Sequence, residues 1–144
     1  GVFRIDPISG DISLVASDFG QPNGLTFSID ETRLFINDTD KGHIRVFEVA
    51  NDGSISGGDV WAVPQGSGDG GCDGMKIDSE GNLYCTGPGG IHVYAPDATS
   101  LGVIHVPEVV ANFTWGDDDL KTVYITASTS LYRTRVNIAG RAIS

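Results

Sequence analysis

A chain of 144 residues with a formal net charge of −10 repels phosphate backbones and anionic headgroups, so neither nucleic acid nor a membrane surface suits it as a partner. It is long enough to bury one sizeable core, 40% of it is hydrophobic, and 20 glycines help break the apolar residues into short runs, the texture of a many-stranded β domain without long helices. No apolar stretch has bilayer length and no signal-like segment opens the chain, so a soluble protein is expected, with the compartment, cytoplasmic or periplasmic, left open.

Read in chain order, residues 1–5 and 12–16 predict two strands that match the third and fourth of a repeating unit whose first two are missing. Residues 23–38, NGLTFSIDETRLFIND, give the first full hairpin: a polar residue, a strand, the acidic turn IDET and a second strand. Strands at 43–49 and 59–64 follow it. Residues 73–86, DGMKIDSEGNLYCT, repeat the grammar around DSEGN and lead to strands at 90–95 and 100–106. Residues 112–126, NFTWGDDDLKTVYIT, repeat it again around GDDDLK, with a further strand at 130–136. Four antiparallel strands recurring every 40 to 50 residues or so predict propeller blades. The expected fold is all-β, a single partial β-propeller domain over 1–144: strands of one blade at 1–16, a blade at 23–64, a blade at 73–106 and an incomplete last blade at 110–136. A free-standing β-sandwich is the weaker alternative, because the hairpins repeat one grammar instead of following Greek-key order.

The first strand of a propeller blade lines the central channel, so Asn23, Asp73 and Asn112, which open these strands, point towards a common axis. Amide and carboxylate oxygens offered together suit a hard cation such as calcium or magnesium. Asn and Asp beside Gly also favour tight turns, and spacing alone does not separate the two readings. Cys72 and Cys85 lack metal-ligand spacing and read as small buried hydrophobes. His43, His92 and His105 fall on outer strands, away from the channel. The segment TGPGG at 86–90 links two strands and opens no helix, so it reads as a turn and not a phosphate loop. There is no Gly-x-Ser-x-Gly elbow. Trp61 and Trp115 are expected between blades, and the acidic run 117–119 at a solvated hairpin tip. Asn37 and Asn112 each open a glycosylation-type triplet, the second expected to be buried.

The strings QPNGLTFSIDETRLFIND, CDGMKIDSEGNLYCTGPGGIHVYAP and KTVYITASTSLYRTRV resemble the family of gluconolactonases, senescence marker protein and luciferin-regenerating enzyme. The resemblance implies a six-bladed propeller, of which this chain is about the C-terminal half, with one divalent metal in the channel. It implies that the asparagine of PNG, Asn23, and the aspartate of DGM, Asp73, are metal ligands. Two further ligands of the family, a glutamate and an asparagine, would lie before Gly1, so this stretch alone is expected to lack a complete site. Calcium is the first expectation for the metal, with magnesium, manganese or zinc as alternatives. The implied activity is hydrolysis of a small sugar-type lactone, with Asp73 as ligand and candidate base and Asn112 as a substrate contact. Either the missing N-terminal half or self-association would complete the ring. A non-catalytic propeller scaffold, or a metal-dependent esterase or organophosphate hydrolase, remains the alternative.

Overall fold

The computed structural model describes residues 1–142 and, among these, contains strands and no helix, hence none long and apolar enough to cross a membrane. The strands are β1 (Val2–Ile5), β2 (Ile12–Ala16), β3 (Pro22–Phe27), β4 (Arg33–Asp38), β5 (His43–Val49), β6 (Ile55–Ala62), β7 (Met75–Ile77), β8 (Leu83–Gly87), β9 (Gly90–Tyr94), β10 (Ser100–His105), β11 (Val110–Gly116), β12 (Thr122–Ala127) and β13 (Leu131–Arg135). They form antiparallel meanders in the order β1-β2, β3-β4-β5-β6, β7-β8-β9-β10 and β11-β12-β13. This is the all-β propeller architecture, seen over part of a ring.

The acidic turns form because each carboxylate collects nearby donors. Asp30 accepts from the Ser28 hydroxyl at 2.6 Å and the Thr32 amide at 3.2 Å. Buried Asp78 accepts from the amides of Glu80 and Asn82, both at 2.9 Å, and from the Asn82 side chain at 2.9 Å. Such side-chain turns close the first two strands of each blade and fix their register.

Second strands are covered on both faces, so alternate residues feed different cores. On β4, Leu34 and Ile36 join Phe47 and pack with Val2, Ala16 and Phe19 of the N-terminal segment, whereas Phe35 faces the following sheet. There it meets Ile44, Cys72, Met75, Leu83, Cys85 and Tyr94, with the Trp61 ring edge-on to Phe35 at 4.9 Å and to Tyr94 at 5.8 Å. On β8, Tyr84 turns the other way to meet Ile91, Val110, Phe113, Val123 and Ile125, with Trp115 edge-on at 4.9 Å. Both tryptophans thus sit between sheets. At the N-terminal side, Phe3, Ile5, Ile12 and Leu14 are all more than half exposed, at 59, 65, 68 and 55%.

Three local expectations change. The fourth strand of the first full sheet is Ile55–Ala62, starting before residue 59, because Gly57 and Gly58 at φ 84° and 100° form an irregularity within the strand and not a turn ahead of it. The acidic run 117–119 is not merely solvated: Asp117 binds the Thr122 hydroxyl and the Tyr124 hydroxyl, and Asp119 is bidentate to Arg135 at 2.6 and 3.0 Å. Asn112, expected to be buried, is exposed, whereas the other triplet asparagine, Asn37, is fully buried.

Candidate metal-binding site at the channel mouth

Strands β3, β7 and β11 run side by side as the inner strands of successive sheets. Asn23 is the second residue of β3, Asp73 lies two residues ahead of β7, and Asn112 is the third residue of β11. The glycine after each of the first two brings the next inner strand into contact. A Cβ on Gly24 would lie 2.2 Å from the Asp73 carbonyl oxygen, and one on Gly74 would lie 2.5 Å from Asn112 Oδ1. Only a residue without a side chain permits this approach. The backbone of Asn23-Gly24 therefore abuts Asp73, and that of Asp73-Gly74 abuts Asn112.

Buried side chains from the second strands lock these contacts. Asn37 accepts from the Gly24 amide at 2.9 Å and donates to the Asp73 carbonyl at 2.8 Å and to Cys85 Sγ at 3.3 Å. Thr86, also fully buried, accepts from the Asp73 amide at 2.8 Å and donates to the Gly71 carbonyl at 2.9 Å. With both backbone groups of Asp73 held, its half-buried carboxylate accepts no hydrogen bond among the described residues.

The Asn23 amide is oriented by a proton count. Thr39 spends its single hydroxyl proton on the Cys72 carbonyl at 2.6 Å, so its oxygen can only accept from Asn23, whose Nδ2 lies 3.2 Å away. Asn23 must therefore turn Oδ1 away from Thr39, and this oxygen has no donor among the described residues. Asp38, immediately before Thr39, is buried and accepts from the amides of Gly20 and Gln21 at 2.7 and 2.9 Å and from Asp40 and Lys41 at 3.1 and 3.2 Å. Burial alone pushes its carboxyl up, but these four backbone donors outweigh that and hold it below its ordinary range. Asp38 thus anchors the approach to β3, with its oxygens already used.

Asn112 differs. Its Oδ1 accepts from Lys76 Nζ at 3.3 Å and from the Phe113 amide at 2.9 Å, so what it has left to offer is its amide N–H. The Cys85 thiol is pushed well up by its hydrogen bond to Cys72 and by burial, which keeps it protonated. His92 is buried on β9 and contacts the Pro88 carbonyl at 3.0 Å. Among the described residues no group of three or more His, Cys, Asp and Glu side chains is arranged to hold a metal ion. A groove of about 660 Å³ runs along the same three inner strands towards their far ends, lined by Leu25, Phe27, Lys76, Ile77, Trp115 and Arg141 among others.

Residues 1–129 match the family model described as SMP-30/Gluconolactonase/LRE-like region. The chain belongs to this family. Within the SMP-30/gluconolactonase/LRE-like proteins it is 33% identical to a gluconolactonase of Zymomonas mobilis, over 97% of this chain and 41% of that protein. It is 32% identical to the pentonolactonase XacC of Haloferax volcanii, over 88% of this chain and 44% of that one. The solved structure of XC5397 from Xanthomonas campestris, described as a gluconolactonase, superposes with a TM-score of 0.80 at 30% identity, over 91% of this chain and 42% of its own. The chain thus spans less than half the length of these family members.

Asn37, Thr39, Thr86 and Lys76 escape sequence reasoning as site residues. Asn37 stands out only as a triplet asparagine. The remaining signal is positional, since Asn37, Thr86 and Thr126 occupy like places near the ends of second strands, and the Thr126 hydroxyl donates to the Asn112 carbonyl at 3.0 Å.

Proposed function

We propose that this segment supplies Asn23 and Asp73 as oxygen ligands to one divalent cation, calcium in the first instance, in the channel of a lactone hydrolase acting on small sugar-type lactones. The observation that carries the reading is the abutment of Gly24 on Asp73 with the Asp73 carboxylate and Asn23 Oδ1 left without donors beside it among the described residues. Carboxylate and amide oxygens fit a hard cation, and the Cys85 thiol behind them, held protonated, would not compete for it. The gluconolactonase and pentonolactonase relatives support a lactone as substrate. A bound divalent cation would polarise the lactone carbonyl and make a coordinated water more acidic.

The chain's own residues do the rest. The Asp73 carboxylate, free of hydrogen bonds among the described residues, can accept a proton from the attacking water. Its backbone is immobilised by Asn37 and Thr86, so its position does not drift when its charge changes. Asn112 presents its amide N–H to a substrate oxygen. The exposed face around Phe3, Ile5, Ile12 and Leu14 is where further chain of the propeller would pack.

Substitution at Asp73 tests this reading in the complete protein. Asp73→Ala should weaken divalent-cation binding and abolish turnover, and should do both more severely than Asn23→Ala. Asp73→Asn keeps an oxygen donor: retained cation binding with lost turnover identifies a base, and loss of both identifies a ligand whose charge matters. Wild-type lactone turnover in Asp73→Ala would refute the proposal.

A further inference from the structure

We propose that Lys76 is an anion-holding residue of the channel, which binds the carboxylate of the hydroxy acid formed when the lactone ring opens. This rests on the lactonase reading above and extends it to a residue that the metal-ligand set leaves out. Lys76 is the central residue of the inner strand β7, between buried Met75 and Ile77, and lines the channel groove. Its ammonium reaches Asn112 Oδ1 at 3.3 Å and lies 5.8 Å from the centre of the Phe113 ring. Asn112 is in turn the residue against which Gly74, the neighbour of Asp73, is seated.

An ammonium has three donors. Here one meets an amide oxygen, and no carboxylate pairs with Lys76 among the described residues, although the chain carries 19 acidic side chains against nine Lys and Arg. By contrast Arg45 and Arg135 are each bidentate to an aspartate. Partial burial works against the charged form and pulls the Lys76 ammonium below its ordinary range. A half-buried, underused cation on a channel wall is costly when empty and is relieved by an anion. The lactone is neutral and its product is not. Hydrolysis adds water across the acyl C–O bond: the ring oxygen leaves as a hydroxyl and the new carboxyl group loses a proton. Negative charge therefore appears during the reaction, and Lys76 favours the later stages over the bound substrate.

The test uses the complete, calcium-loaded protein at neutral pH and compares gluconate with glucitol, which carries similar hydroxyls and no charge. Lys76→Met should weaken gluconate binding about tenfold or more, the weight of a lost charge-assisted hydrogen bond, and leave glucitol binding unchanged. Lys76→Arg should keep most of the gluconate affinity. With gluconolactone as substrate, Lys76→Met should lower kcat with little change in KM. Calcium affinity and the melting temperature of both variants should match the wild type, which excludes a folding defect. A wild type that hydrolyses lactone but whose gluconate affinity is insensitive to Lys76→Met overturns the role of Lys76 alone. A wild type that neither hydrolyses lactone nor binds gluconate overturns both proposals.

Discussion

Replacing Gly24 by alanine adds one methyl group at the point where two inner strands touch. That Cβ would lie 2.2 Å from the Asp73 carbonyl oxygen, 2.9 Å from Asn37 Nδ2 and 3.0 Å from Met75 Cβ. Gly24 has an ordinary negative-φ or extended backbone, so the cost is steric and not conformational. Restoring van der Waals distance requires the Asp73 backbone to retreat by about 1 Å or more. Overpacking of this kind costs about 1–3 kcal/mol of stability. A displacement of about 1 Å at a reacting group costs on the order of 10²-fold in rate. Gly24→Ala should therefore lower kcat/KM for lactone hydrolysis by about 10²-fold and weaken divalent-cation binding, followed by proton release and by calorimetric titration. Gly102→Ala is the control: Gly102 lies on the outer strand β10 at φ 132° with nothing within 4 Å of a Cβ, so it should lose stability through backbone strain with turnover per folded molecule intact. Wild-type kcat/KM and cation affinity in Gly24→Ala would refute the argument that this contact sets the site.

Two other perturbations address the frame around the site. Asn37→Ala orphans the Gly24 amide and the Asp73 carbonyl and should cost about 2–4 kcal/mol in urea unfolding; a neutral result would mean that water replaces the amide. Asp38 titrates below its ordinary range in the folded chain, so its contribution to stability is present above the usual carboxylate range and is lost as pH falls through its depressed folded value. Asp30, Glu108 and Asp119, held down to about 2 by their own hydrogen bonds, add to the same acid limb. The part belonging to Asp38 is the difference between wild type and Asp38→Asn below about pH 4, and identical acid limbs would contradict it.

The propeller was legible because each hairpin writes its turn into the sequence. Asp30 and Asp78 fold their turns by accepting local donors, and the residues on either side alternate between two cores. Family membership was legible for the same reason, since PNG and DGM precede those hairpins. The start of one strand was less so: the fourth strand of the first full blade was expected from residue 59, yet the ladder to β5 already holds Gly57. Positions along the repeat indicated that Asn23, Asp73 and Asn112 lie on or beside the first strands of successive sheets. They could not indicate how those residues are oriented, because the orienting partners lie elsewhere in the chain, up to 36 residues away: Thr39 for Asn23, Asn37 for Asp73 and Lys76 for Asn112. A side-chain hydrogen bond to a residue distant in the chain leaves no periodic trace. The same holds for Asp119 and Arg135, which turn an apparently solvated tip into a paired one.

The most direct measurement is lactone hydrolysis by the complete protein after exhaustive chelation of divalent metal, followed by readdition of calcium, with Asn23→Ala and Asp73→Ala in parallel. If one cation is held by Asn23 and Asp73, chelation removes turnover, calcium restores it in the wild type, and higher calcium is needed in Asn23→Ala while Asp73→Ala stays inactive. Turnover that survives chelation, or calcium rescue of both variants at the wild-type concentration, would contradict it.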